Sequence, residues 1–401
     1  MLAGFGCTLL HTQRAAVLLM QEGGETMTLH EARLRGASPA RAEFAHALAT
    51  GADELTLAAL IAAEERHSEV LPAKVVEEVQ EQIAALADKA NERMNFEAAL
   101  GAGAGMLNLE AAIPSLATEK TCTAVSMTLF GSGAPEDGAS AGEDGNAAPF
   151  FSGNDDDYYN PKNSFVDQVL QNRCGNPSTL SLVYKACTAK VGTPLVGLNA
   201  PGHLLLAPED DITAFVVDPF VGTLMDTQDL HAFVGARLPP SLPAPIVNSF
   251  VDKLRREPMN RLDWVARALR NLRLVYAKSG DYARLLGASE RFLLISRIPM
   301  EPMEPMEPRA PPASGAASME QRRTDAVPRD GGTRPPIPTF EVLQAEREVG
   351  MALYRLGDEE RRGEARDYLQ RSVDRGWDAE LSPESKAALE LLLTKEPYFD
   401  I

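Results

Sequence analysis

The chain has 401 residues, 44% of them hydrophobic and 24% charged, an ordinary composition for a folded protein. At roughly 100–200 residues per domain, it has room for two or three domains. Its 39 Lys and Arg stand against 57 Asp and Glu, a formal net charge of −18. That sign argues against a nucleic-acid partner, because affinity for a phosphate backbone comes mainly from Lys and Arg displacing counterions. No run reaches the roughly 20 apolar residues of a membrane span, so no membrane partner is expected. Cys7, Cys122, Cys174 and Cys187 are too sparse for a disulfide framework and form no CxxC pair, so no structural metal site is expected. This usage suits the cytoplasm or another reducing compartment. A chloroplast or other organelle stays open, because no acidic residue precedes Glu22 and Arg14 is present.

Residues 1–37 read as a disordered start. Residues 38–130 read as an Ala-rich helical part. Ser38-Pro39 offers an N-cap followed by Pro at the first helical position. Leu55, Ala58, Ala59 and Ala62 then recur at helical spacing. Beyond Pro72, a longer helix carries Val75, Val76, Val79, Ile83, Leu86 and Ala90 on one face. Glu77, Glu78 and Glu81 form its solvated side. Residues 131–149 are rich in Gly, Ala and acid, and are expected to be a disordered insertion.

Residues 150–238 form the expected core. Asn176 can cap a helix whose first residue is Pro177, with Leu180, Val183, Tyr184, Cys187 and Val191 as its apolar stripe and Gly192 closing it. Three strands are expected next, at Leu195–Asn199, His203–Ala207 and Ala214–Asp218. Residues 239–298 and 339–401 read as paired helices, joined by the Pro-rich linker 299–338 with its tandem Met-Glu-Pro units. Each pair turns on Gly-Asp or Gly-Asp-Tyr, at Gly280-Asp281-Tyr282 and Gly357-Asp358, which follows the logic of tetratricopeptide repeats. Trp264 and Trp377 read as packing residues.

A symmetric hairpin that pairs Ala207 with Ala214 sets His203 directly opposite Asp218 on one face. An imidazole oriented by a carboxylate is the base half of a nucleophilic triad. The nucleophile of such a triad belongs at the start of the preceding helix, where free N–H groups and the dipole favour a thiolate. Pro177-Ser178-Thr179 stands there, without a cysteine. Cys174 precedes the helix and Cys187 lies on its apolar stripe.

The run FFSGNDDDYYNPKNSFVDQVLQNRCGNPSTLSLVYKACTAKVGTPLVGLNAPGHLLL, with VVDPF at 216–220, resembles the SirB family of transglutaminase-like proteins. The pieces that carry the resemblance are Gly153-Asn154, Asn163-Ser164, Val169-Leu170, Arg173, Gly175, Pro177, Leu180, Gly192, Pro194, Gly197, Pro201-Gly202-His203 and Asp218-Pro219-Phe220. Asn271-Leu272, Tyr276 and Gly280-Asp281-Tyr282 extend it into the tail. The resemblance implies an α+β fold: a transglutaminase-like, papain-like core with a helical N-terminal part and a tetratricopeptide-like helical tail. It also implies a Cys-His-Asp site in which His203 and Asp218 match the His and Asp positions. The Cys position falls on Pro177 or Ser178, so the resemblance carries the fold and lowers the expectation of cysteine-type catalysis.

Two readings follow. One is a non-catalytic adaptor or regulatory protein that binds a protein or peptide through its core and tail, with no cofactor. The other is a hydrolase or acyltransferase that uses Cys174 or Ser178 with His203 and Asp218.

Overall fold

The computed structural model describes residues 38–65, 71–103, 114–131, 150–298 and 339–374, together with Gln21–Glu22 paired antiparallel to Glu25–Thr26. The rest of the expected disordered start, residues 132–149 of the expected insertion, the linker 299–338 and Trp377 lie outside the described residues.

Four helices come first: α1 (Pro39–Ala49), α2 (Glu54–Glu65), α3 (Pro72–Gly103) and α4 (Pro114–Phe130). Ser38 Oγ accepts from Arg41 N at 3.2 Å and Pro39 opens α1, the start signal expected from the sequence. On α3, Val75, Val79, Ile83, Leu86 and Ala90 are buried, while Glu77 and Glu81 are exposed. The 3.6-residue period thus separates a packed stripe from a wet one.

The middle of the chain is a small mixed layer. Strand β1 (Ser152–Gly153) runs parallel to β2 (Cys174–Gly175), with Ser152 opposite Cys174 and Gly153 opposite Gly175. Between them come a 3-10 turn, Pro161–Ser164, and α5 (Val166–Asn172). Helix α6 (Pro177–Lys190) follows β2. Then β3 (Leu195–Leu198), β4 (Leu205–Pro208), β5 (Val216–Asp218) and β6 (Thr223–Met225) form an antiparallel meander in chain order.

Alternation along these strands gives the sheet two apolar faces. Leu195, Leu206 and Val217 join Leu180, Val183 and Tyr184 of α6. Leu198, Leu205, Ala207 and Val216 instead meet Leu230 and Val234 of α7 (Thr227–Arg237) and Val251 and Leu254 of α8 (Ala244–Arg256). Both faces are covered, so β4 and β5 are buried along their whole length.

Two differences from the sequence expectation matter for the site. A fourth strand, β6, exists; it is three residues long, half-buried, and sits at the sheet edge just after Pro219 and Gly222, which hid its pattern. The β4–β5 register is also displaced. Leu206 faces Val217, two residues away from the symmetric hairpin that would pair Ala207 with Ala214. A two-residue displacement keeps every side chain on its expected face, because the side-chain period of a strand is two.

The tail packs as two helical pairs. Helix α9 (Arg261–Ser279) starts in a capping box between Asn260 and Asp263 and ends at Gly280 with φ 71°. Asp281 then caps α10 (Tyr282–Ser296) by accepting from Arg284 N. Helix α11 (Thr339–Leu356) turns at Gly357 into α12 (Arg362–Ser372). These helices share one core with α1 and α2, in which Phe44, Leu57 and Ile61 meet Leu269, Phe292, Val349 and Leu369. Within it Arg273 Nε lies 2.6 Å from Glu348 Oε2, which also accepts from Ser289 Oγ at 2.9 Å. Trp264 is buried against Gly197, where an added Cβ would come within 2.7 Å of its ring.

Candidate functional site

His203 does not lie on a strand. It sits two residues before β4, after a tight turn through Gly202, whose φ of 66° favours glycine. Its Nε2 is 2.8 Å from Asp218 Oδ1, and both residues are buried, at 6% and 4% exposure. Asp218 ends β5, and the same Oδ1 accepts from Phe220 N at 2.9 Å. The imidazole is wedged between Phe220 and Phe233, whose ring centres lie 5.6 and 5.2 Å away in edge-on arrangements. The sequence-derived pair therefore forms, although direct cross-strand opposition is not what forms it. Extending the observed register by one residue places Leu205 across from Asp218. The ring reaches Asp218 from the turn.

The start of α6 is held by a polar cluster. Asn176 Oδ1 accepts from Thr179 N at 3.0 Å, which caps the helix. Asn176 Nδ2 donates to Ser164 Oγ at 2.9 Å. Asn163 Nδ2 donates to the Asp157 carbonyl at 2.7 Å, and Asn154 Nδ2 donates to Asn163 Oδ1 at 3.0 Å. Four separated motif pieces, Gly153-Asn154, Asn163-Ser164, Gly175 and Pro177, thus converge on one helix terminus. Phe220 closes this cluster toward His203, because a Cβ on Gly153 would sit 2.2 Å from its ring.

The candidate nucleophiles are placed as follows. Pro177 occupies the first helical position. Ser178 is buried, and its Oγ accepts from Arg267 Nε at 2.9 Å. Cys174 lies on β2, before the capping Asn176, half-buried; its Sγ is 3.9 Å from Ser152 Oγ, which donates to it. Its strand places it off the first turn of α6. Cys187 is on the buried stripe of α6, and burial pushes its thiol up to about 12. Burial pushes Cys122 up to about 12 as well. No group of three metal-ligating side chains occurs among the described residues, and no described helix is long and apolar enough to cross a membrane.

Arg267, on α9, is the residue that sequence reading missed. Beyond Ser178, its Nη2 donates to the His203 carbonyl at 3.2 Å and its Nη1 donates to Asn199 Oδ1. Burial pulls its guanidinium below the usual arginine range, and neighbouring Arg270 adds to that. Arg267 falls off the apolar stripe of its own helix, and its partners stand 64 to 89 residues away in sequence, so no local signal marks it.

Comparison with known proteins bears on the domain that holds these residues. Residues 77–270 match the family model of the transglutaminase-like superfamily. A UPF0162 protein of Xylella fastidiosa (strain 9a5c) is 33% identical over 144 residues, covering 36% of this chain and 50% of the relative. A UPF0162 protein of Vibrio cholerae is 33% identical over 85 residues, 21% of this chain and 32% of the relative. F-box only protein 21 of Homo sapiens is 45% identical over 56 residues, 14% of this chain and 9% of that protein. The chain spans about half the length of the first curated relatives it matches. No solved structure matches. The capped helix, the meander behind it and the His203–Asp218 pair all lie within the matched residues, and over 77–270 this chain carries a transglutaminase-like domain.

Proposed function

We propose that the chain is a non-catalytic transglutaminase-like protein of the SirB type. It acts as an adaptor that binds a protein or peptide through its core and through its tetratricopeptide-like helices. The observation that carries this reading is the bond from Arg267 Nε to Ser178 Oγ, made at the turn where a nucleophile would stand. A cationic donor on the hydroxyl oxygen draws electron density from it and lowers its nucleophilicity. Pro177 removes the other candidate position, and Cys174 lies on a strand.

The alternative, a hydrolase or acyltransferase using Cys174 or Ser178, is supported by the buried His203–Asp218 pair, which keeps the base and its orienting carboxylate. Acyl turnover separates the two. Activated thioesters, p-nitrophenyl acyl esters and a glutamine-to-amine transfer probe are incubated with the protein, and the rate is compared with His203→Ala. The adaptor reading expects equal rates at background level. Turnover that disappears in His203→Ala and in either Ser178→Ala or Cys174→Ala establishes the enzyme reading instead.

A further inference from the structure

We propose that the rim formed by Arg267, Asn199 and the His203 carbonyl is a carboxylate-binding site, in which the two uncommitted N–H groups of Arg267 grip both oxygens of the ligand. This deepens the recognition reading of the core and rests on it.

A guanidinium has five N–H donors and no acceptor. Arg267 uses three of them, Nε on Ser178, one Nη1–H on Asn199 and one Nη2–H on the His203 carbonyl. One N–H therefore remains on each terminal nitrogen. All three partners are neutral. On the same helix Arg261 donates to the Ala52 carbonyl, while Arg270 and Arg273 each meet a carboxylate, Glu341 and Glu348. Among the described residues Arg267 has no such partner, and the neighbours that bear on its charge are Tyr158 and Arg270.

The guanidinium also spans from interior to surface. Nε is fixed on buried Ser178, while Nη1 meets exposed Asn199. A desolvated guanidinium with uncommitted donors, one of whose terminal nitrogens meets an exposed residue, is suited to an anion, because the planar fork matches a carboxylate with two parallel bonds. The charge balance favours a monoanion. The net charge of −18 repels a dianion more strongly than a monoanion, and Arg270, the other cation that bears on Arg267, is already paired with Glu341. Such a carboxylate has two protein sources, a free chain terminus and an acidic side chain.

Titration calorimetry on the full chain at low salt tests this with four probes: acetyl-Gly-Gly, its amide, acetyl-Glu N-methylamide and inorganic phosphate. Binding of either carboxylate probe, at least tenfold tighter than the amide and tighter than phosphate, is expected. The stronger of the two identifies the source. Arg267→Gln should weaken that binding at least tenfold. Asn199→Asp, at an exposed position, should do the same by supplying an internal carboxylate to Arg267. Arg366→Gln, on the distant face of α12, should leave it unchanged. The assignment is overturned if the amide binds as well as the acid, if phosphate binds more tightly, if no carboxylate probe gives heat at tens of millimolar, or if Asn199→Asp binds normally. Ester turnover in the same preparation would remove the non-catalytic reading and leave a positive carboxylate result standing. A silent rim without turnover removes the carboxylate assignment alone.

Discussion

Asp218 Oδ1 holds two donors at once, His203 Nε2 at 2.8 Å and Phe220 N at 2.9 Å, so one buried carboxylate oxygen fixes both the imidazole and the turn that brings an aromatic ring against it. Asp218→Ala should destabilise the protein by about 1–3 kcal/mol, because buried donors lose their acceptor. In a His203→Ala background the same change should cost less but more than zero, since Phe220 N still loses its partner. Chemical denaturation of the four proteins in a double-mutant cycle measures this coupling. Strict additivity would show that the imidazole draws nothing from Asp218.

The contact of Gly153 with Phe220 gives a second prediction. A methyl group at 153 would stand 2.2 Å from the Phe220 ring, and the ring is held edge-on against His203. Gly153→Ala is therefore an overpacking change, expected to cost about 1–3 kcal/mol. Phe220→Leu in the same chain should recover part of that loss, because the shorter side chain vacates the space. Thermal melts of the single and double variants check it, and a Gly153→Ala protein as stable as the parent would mean that β1 yields freely.

Much of this site was readable in the sequence because its parts are local. Asn176-Pro177 is a cap and a first helical residue within two positions, and Gly202 before His203 marks a turn. The hairpin logic brought His203 and Asp218 together, yet the contact comes from the turn before β4; the register itself was not legible, because hairpin geometry depends on loop details that Asp210 to Thr213 do not announce. The short edge strand at Thr223–Met225 was hidden by its length. Arg267 was invisible for a different reason. Its role comes from helix α9 lying across the start of α6, and no pattern within Arg261–Ser279 encodes where that helix docks.

The tail offers a test of its packing. Arg273 and Glu348 are both buried, 2.6 Å apart, and tie α9 to α11, with Ser289 of α10 on the same carboxylate oxygen. Glu348→Ala leaves a buried guanidinium without its counter-charge and should cost about 3–5 kcal/mol. Replacing both partners, Arg273→Met with Glu348→Leu, should cost far less, because no charge is stranded. Urea denaturation of the single and double variants measures the difference. Equal losses would mean that the ion pair itself, and not the stranded charge, sets the stability here.

The thiols supply a prediction with a pH sign. Cys122 and Cys187 are buried, and burial pushes both up to about 12, whereas in the unfolded chain a thiol titrates near 8.5. Between those values the unfolded state has lost protons that the folded state keeps. Stability is therefore fully present below about pH 8.5 and falls as pH rises toward 12, by up to ~1.4 kcal/mol per pH unit for each thiol. Cys122→Ala and Cys187→Ala should each flatten the decline between about pH 9 and 10, whatever each costs at neutral pH. Denaturation midpoints across that range read the slope. Alkylation of the native protein gives a parallel check at neutral pH. Half-buried Cys174 should react first among the described cysteines, at the rate of an ordinary thiol and without change in His203→Ala, since it lies on β2, off the first turn of α6, with its Sγ against Ser152 Oγ. A Cys174 that reacts far faster than free cysteine, and loses that excess in His203→Ala, would mean that the thiol and the imidazole work together and that the core retains catalytic chemistry.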